Sequence, residues 1–216
     1  RVQVHEDARL IGQTSFIYEA GSAFSMDRET TLMTGDFEHH PDKNVVEQMS
    51  ERGVPELLFE KYDGTLEFHE PWHEGREMSH LFRGKVDVEE VNVMLSEEGH
   101  GDLRLLDNGA IGRPMPGIDI THCYHLVPKG VSKSRAVAAH AAARGYAKED
   151  TIAVGDSAED LEVARSVGTF FVVANGPERD AGLKATLSQH PNAVVTEGRA
   201  GDGFYEAIVT SLVSGQ

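Results

Sequence analysis

The C-terminal half of the chain constrains its fold most tightly. "SKSRAVAAHAAARGYA" is rich in Ala and Arg, opens on Ser132 as a candidate N-cap, and reads as a helix ending near Gly145. "TIAVGD" follows as a short continuous apolar run, the signature of a strand buried on both faces. "SAEDLEVARSVG" sets Leu161, Ala164 and Val167 at helical spacing and stops at Gly168. "TFFVVANG" and "AVVTEG" read as further strands, and "DGFYEAIVTSLV" as a closing amphipathic helix whose apolar stripe is expected to pack on a sheet. Helix, strand, helix, strand with short connections predicts parallel βα units in a doubly wound α/β sheet.

The first forty residues contain "TSFIYEAGSAFSM", strand-like and broken by Gly21, a candidate additional strand of that sheet. From about Pro41 to Asp119 the chain is richer in His, Glu and Gly. There "PELLFEKY" and "TLEFHE" are expected to form a hairpin around Asp63-Gly64. "DVEEVNVMLSEEG" is expected to form a helix with Val88, Val91 and Leu95 on one face, and "DLRLLDNG" a strand. This predicts a small α+β unit at 41–119 inserted into a larger domain made of 1–40 and 120–216.

At 216 residues, 39% of them hydrophobic, the chain is long enough for one core plus a small second domain. No apolar run approaches the roughly 20 residues of a membrane span, and the start does not read as a secretory signal. A single cysteine, Cys123, precludes an internal disulfide and fits a reducing, cytoplasmic setting. The formal net charge of −16 disfavours nucleic acid and anionic lipid as partners. An anionic ligand would need a local cluster of cations.

Such a cluster is foreshadowed at the end of the "TIAVGD" run. Ligands of open parallel sheets bind outside the carboxyl ends of the strands. Asp156 stands there, after a glycine that lets the backbone turn sharply, and Asp160 falls in the first turn of the next helix, with Glu159 as a third carboxylate nearby. Two hard carboxylates at one strand end suit Mg²⁺. The same residues also serve as a turn former and a complement to the helix dipole, and spacing alone leaves both readings open. Lys129 and Lys133 flank the start of the preceding helix, where a lysine can serve a bound anion or simply be solvated.

Taken together, "PKGVSKSRAVAAHAAARGY" and "TIAVGDSAEDLEVARSVGTFFVVANGPE" resemble the third and fourth motifs of the haloacid dehalogenase-like (HAD) hydrolases. The style is that of the capped Cof-type group and the sucrose-phosphate and mannosyl-phosphoglycerate phosphatases. "SFIYEAGSAF" resembles the family strand ending in Glu-Asn-Gly, and "VVTEGRAGDGFYEAI" its terminal Asp-Gly segment. The resemblance implies a Rossmann-type core with an inserted cap and Mg²⁺-dependent hydrolysis of a small phosphorylated metabolite, a sugar phosphate being favoured. It implies that Lys133 stabilises the phosphoryl group, Asp156 binds Mg²⁺, Asp160 holds the metal or its waters, and Asn175 lies near the phosphate. Glu159 and Ala20 stand where the family has Asn.

The family's opening strand carries Asp-x-Asp-Gly-Thr, whose first Asp attacks phosphorus to give an aspartyl phosphate. Only "RVQVHEDARLIGQT" precedes "SFIYEAG" here, and it reads as the tail of a helix. "EKYDGTLE" lacks the first Asp, with Lys61 at that place, and its Asp63-Gly64 reads as a turn. The 216 residues alone are therefore expected to be inactive, with the nucleophile upstream of Arg1. The competing expectation is an inactive HAD-like domain that binds a phosphorylated ligand or a protein partner. A phosphotransferase or mutase on the same fold is a third, distinguished by its products.

Other features are read structurally. His122 and His125 of "HCYH" point to opposite faces of a strand and cannot easily share a metal. His39-His40, His69, Trp72 and His73 line either an ordinary surface loop or a substrate-selecting face.

Overall fold

The computed structural model describes residues 2–214. Contacts divide the chain into two compact units, one ending at Ser132 and the other beginning at Lys133.

The first unit opens with helix α1 (Val2–Leu10), as the sequence predicts, followed by strands β1 (Ser15–Tyr18), β2 (Ala23–Met26) and β3 (Glu29–Leu32). These strands form an antiparallel sheet in the order β1-β2-β3. "TSFIYEAGSAFSM" is thus a hairpin in its own sheet, not a strand of the parallel one. The chain reverses at Glu19–Gly21, where Glu19 and Ala20 adopt φ of 48° and 58°.

Next come helices α2 (Val45–Glu51) and α3 (Val54–Lys61), strands β4 (Leu66–Phe68) and β5 (His80–Gly84), helix α4 (Val88–Glu97), and strands β6 (Leu103–Ala110) and β7 (His122–Pro128). "PELLFEKY" is therefore helical, not the first arm of a hairpin. Pro55 sits in the first turn, where its missing N–H costs nothing, and Val54 and Leu58, four apart, are buried on one face. The Asp63-Gly64 turn survives, joining α3 to β4 with Gly64 at φ 70°. Helix α4 forms as expected, with Asp87 accepting from the N–H groups of Glu89 and Glu90.

Strands β4-β5-β7-β6 make a four-stranded antiparallel sheet. Phe82, Leu105, Tyr124 and Leu126 from this sheet meet Val45, Met49, Leu58, Val91 and Leu95 from the helices in one buried core. The boundary drawn on sequence therefore shifts. β7 hydrogen-bonds β5 on one side and β6 on the other, so 122–128 belongs with the middle segment, and residues before Pro41 share this unit's core through Tyr18, Ala23 and Phe37.

The second unit is a mixed α/β layer with a parallel sheet. Helix α5 (Lys133–Arg144) leads to β8 (Ile152–Gly155), α6 (Ala158–Leu161), β9 (Thr169–Val172), α7 (Asn175–Arg179), α8 (Ala181–Thr186), β10 (Ala193–Val195) and α9 (Ala200–Ser214). The strand order is β10-β9-β8, all parallel. The central β9 carries the buried Phe170, Phe171 and Val172, whereas β8 is only half-buried along its length, unlike the doubly buried strand its apolar run predicts.

The predicted helix 158–168 is one short α turn followed by a 3-10 stretch, Glu162–Ser166. Leu161, Ala164 and Val167 are nevertheless buried together. Asn192 Nδ2 donates to the carbonyls of Ala164, Val167 and Gly168, satisfying the backbone where the helix fails. Helix α9 packs on β8 and β9 through its small residues: a Cβ on Gly203 would fall 2.5 Å from Gly198 O and 2.9 Å from Val173 Cγ1. Its larger apolar residues, Phe204, Tyr205 and Leu212, are exposed, so the stripe is not consumed by the sheet as expected.

Candidate active site

Strand β8 runs out at Gly155, and a Cβ there would stand 2.5 Å from Asp160 Cβ and 3.0 Å from Asp160 Cγ. Only glycine lets the strand end approach that carboxylate so closely. Gly155→Ala is expected to displace Asp160 and to cost about 1–3 kcal/mol, the usual penalty for overpacking, measured by urea unfolding. A variant as stable as the wild type would show that Asp160 is free to move.

Ser157 fixes Asp160 by a reciprocal cap. Its hydroxyl oxygen accepts from Asp160 N at 3.1 Å and its proton goes to Asp160 Oδ2 at 2.8 Å. The backbone N–H of Asp156 also points at that Oδ2, at 3.5 Å. The other oxygen, Oδ1, takes Lys133 Nζ at 2.9 Å, and Lys133 also lies 3.2 Å from Glu159 Oε2. Burial works against the charge of both partners, but the attraction between them prevails. Lys133 is held above its ordinary pKa by Asp160 and Glu159, and Asp160 below its own by Lys133 and Ser157. Both are charged at neutral pH.

Asp156 faces the other way. Its Oδ2 receives Arg179 Nη2 at 2.8 Å and lies 3.5 Å from Asn175 Nδ2. Asn175 is buried, and its Oδ1 accepts from Ala200 N at 2.7 Å, which ties α7 to the start of α9. A cavity of about 570 Å³ opens here, lined by Asp156, Asn175, Arg179 and Arg199 over an apolar floor that includes Val154 and Phe204.

The four residues singled out on sequence, Lys133, Asp156, Asp160 and Asn175, thus form one connected cluster around the carboxyl end of β8. Sequence reasoning missed Ser157, whose S-x-x-D spacing is a capping signal, and Arg179, which lies one helical turn after Asn175. Lys129 belongs to the first unit and is exposed, its N–H bonded to Asp102 O at 2.6 Å.

Among the described residues no group of three or more His, Cys, Asp or Glu side chains is placed to hold a metal by itself. Two adjoining carboxylates do not make a zinc or calcium cage. They do fit Mg²⁺, which takes one or two carboxylates and completes its shell with water and phosphate oxygens. Asp156 and Asp160 would hold it.

His122 and His125 have structural partners. His122 pairs with Asp107 Oδ2 at 2.7 Å, while His125 is buried beside Ser79 and Arg76. Trp72 is half exposed, with the Arg113 guanidinium 5.2 Å from its ring. Burial pushes the Cys123 thiol up to about 11, which rules it out as a thiolate nucleophile at neutral pH.

Residues 119–194 match the sequence profile of the haloacid dehalogenase-like hydrolases. A phosphoglycolate phosphatase of Halobacterium salinarum is 34% identical over 91 residues, covering 42% of this chain and 37% of that protein. One from Methanoculleus marisnigri is 36% identical over 127 residues, covering 59% and 45%. One from Halorubrum lacusprofundi is 28% identical over 177 residues, covering 81% and 67%. The chain thus spans less than half the length of the Halobacterium and Methanoculleus relatives. Among solved structures, a Thermoplasma acidophilum protein aligns with a TM-score of 0.63 at 15% identity, over 97% of this chain and 78% of that one. The sucrose-phosphatase of Synechocystis sp. PCC6803, solved with sucrose and phosphate, aligns with a TM-score of 0.63 at 15% identity, over 97% and 80%. At that identity the likeness is one of fold.

Proposed function

We propose, from the match of residues 119–194 to the haloacid dehalogenase-like hydrolases, that this chain is part of a Mg²⁺-dependent phosphomonoesterase acting on a small phosphorylated metabolite. The observation that supports this reading best is the cluster at the end of β8, where Lys133 Nζ lies 2.9 Å from Asp160 and the Asp156 N–H points at the same carboxylate.

In this reading Lys133 neutralises charge that builds on the transferring phosphoryl oxygens, and Asp160 and Glu159 keep the ammonium charged and aimed. Asp156 and Asp160 would hold the divalent ion, which would supply charge to screen the phosphate from the carboxylates and polarise it. Asn175 fixes the first turn of α7 against α9 and keeps an amide N–H beside Asp156. None of these 216 residues stands in an Asp-x-Asp-Gly-Thr pattern, so the attacking carboxylate that would form the aspartyl phosphate is not among the residues named above. The middle segment, 41–119 with β7 added, is the part of the chain we read as the cap. With a formal charge of −16, the protein relies on this local cation cluster to draw an anion, and nucleic acid is not its partner. No helix among the described residues is long and apolar enough to cross a membrane; a cytoplasmic location is our reading, resting on the lone, buried cysteine.

Phosphoglycolate is the first substrate to test, since several relatives carry that name; a sugar phosphate is the second. The 216-residue chain is expected to hydrolyse p-nitrophenyl phosphate no faster than its Asp156→Ala variant. Adding an N-terminal Asp-x-Asp-Gly-Thr strand is expected to give Mg²⁺-dependent release of phosphate that Lys133→Met lowers by about 10²–10³-fold. An extended protein that remains inactive but binds phosphate would favour the second reading, a non-catalytic domain for a phosphorylated ligand or a protein partner.

A further inference from the structure

Asp156 already carries a cation of the protein's own. Arg179 Nη2 lies 2.8 Å from its Oδ2, and Nε of the same guanidinium donates to the main-chain carbonyl of Asn175 at 3.1 Å. The planar group is therefore anchored to the backbone through Nε and meets the carboxylate through Nη2. Arg199 lines the same cavity but is committed elsewhere, 2.9 Å from Glu178 Oε2. A lysine could not reproduce the Arg179 arrangement, having no second donor along its stem.

A guanidinium and a divalent ion repel each other and draw on the same carboxylate charge, so each weakens the other's hold on it. We propose that Arg179 is a built-in counter-ion that competes with the divalent cation for the charge of Asp156, so that the metal ion and this guanidinium weaken each other's binding there. The inference rests on the reading of Asp156 as a metal ligand. It makes Arg179 a positioning residue: it keeps Asp156 neutralised and in place until the ion arrives, and it leaves a positive group beside the site afterwards.

The test is Mn²⁺ affinity of the 216-residue protein, read from the paramagnetic resonance of free Mn²⁺ at physiological ionic strength. Arg179 and Asp156 side chains are 65% and 47% exposed, so their substitution should leave folding intact. Arg179→Gln is expected to bind Mn²⁺ about 2–5-fold more tightly, the range an exposed ion pair allows. Arg179→Lys should fall between it and the wild type. Arg199→Gln should shift affinity by less than about 1.5-fold, its charge being screened by salt. Unchanged or weaker binding by Arg179→Gln overturns the inference, as does an equal gain in Arg199→Gln. Failure of the underlying reading looks different: Mn²⁺ then binds neither the wild type nor Arg179→Gln, or binds Asp156→Asn as well as the wild type.

Discussion

Replacing Glu19 with alanine is expected to lower the unfolding free energy of the first unit by about 3–5 kcal/mol, the cost of breaking a buried charged pair from one side. The Glu19 side chain is 1% exposed. Its carboxylate accepts from the backbone N–H groups of Glu77, Met78 and Ser79 at 3.3, 2.9 and 2.8 Å and from the Ser79 hydroxyl at 3.2 Å. Arg76 Nε stands 3.8 Å away, its guanidinium buried, and burial lowers its pKa while Glu19 pulls it back up. Alanine would leave those amides without their acceptor and that guanidinium without its counter-charge, though Arg76 keeps its bonds to Ser79 and His125. The carboxylate also holds Glu19 and Ala20 in their left-handed conformations, which non-glycine residues adopt only when the surroundings over-determine them. Glu19→Gln keeps the shape and one acceptor oxygen but not the charge, and should fall between. Urea unfolding followed by the fluorescence of Trp72, the chain's one tryptophan and a member of the same unit, reads the effect. A loss under about 0.5 kcal/mol for Glu19→Ala would show that water replaces the carboxylate freely.

Acid is expected to weaken the same unit through His80. The ring is 1% exposed, stacked among Phe68, His73 and Phe82, with Nε2 3.2 Å from Ser50 Oγ. Burial, aided by His73 and Arg76 and opposed by the Val46 backbone, lowers its pKa from 6.5 to about 4. Below pH 6.5 the unfolded chain takes up a proton that the folded one refuses. The stabilisation is therefore full at pH 7, erodes as pH falls below 6.5, and is gone once pH passes below about 4. His80 alone should remove about 2 kcal/mol between pH 7 and pH 5. His69, His73 and His100 have pKa values lowered mainly by burial and push the same way. In His80→Phe the pH dependence should flatten by that amount, since the Ser50 hydroxyl keeps its bond to Val46 O at 3.0 Å. A slope unchanged in His80→Phe would assign the acid sensitivity to other groups.

Much of the candidate site is legible in the order of residues alone. Asp156 and Asp160 stand at a strand end followed by a helix start, so their place at the end of β8 is local, although their carboxylates face different ways. Lys133 opens the preceding helix, and parallel βα order brings successive helix starts to the same end of the sheet. Other elements mislead for definable reasons. "PELLFEKY" has an apolar run too short for periodicity to tell helix from strand, and burial of Val54 and Leu58 on one face decides it. β7 looks like a strand from its sequence, but nothing in it says which sheet it joins; its register with β5 and β6 does.

Glu19 and Arg179 show where the limit lies. Glu19 meets residues about sixty positions away, and Arg179 meets a carboxylate twenty-three positions before it. The sequence by itself determined the βα alternation around β8, the start of α5 and the family resemblance, because these rest on spacings within one turn or one strand. The tertiary structure decided that Glu19 anchors a loop and that Asp156 is met by an arginine. Those contacts exist because folding desolvates chain segments remote in sequence and obliges their charges and amides to find one another.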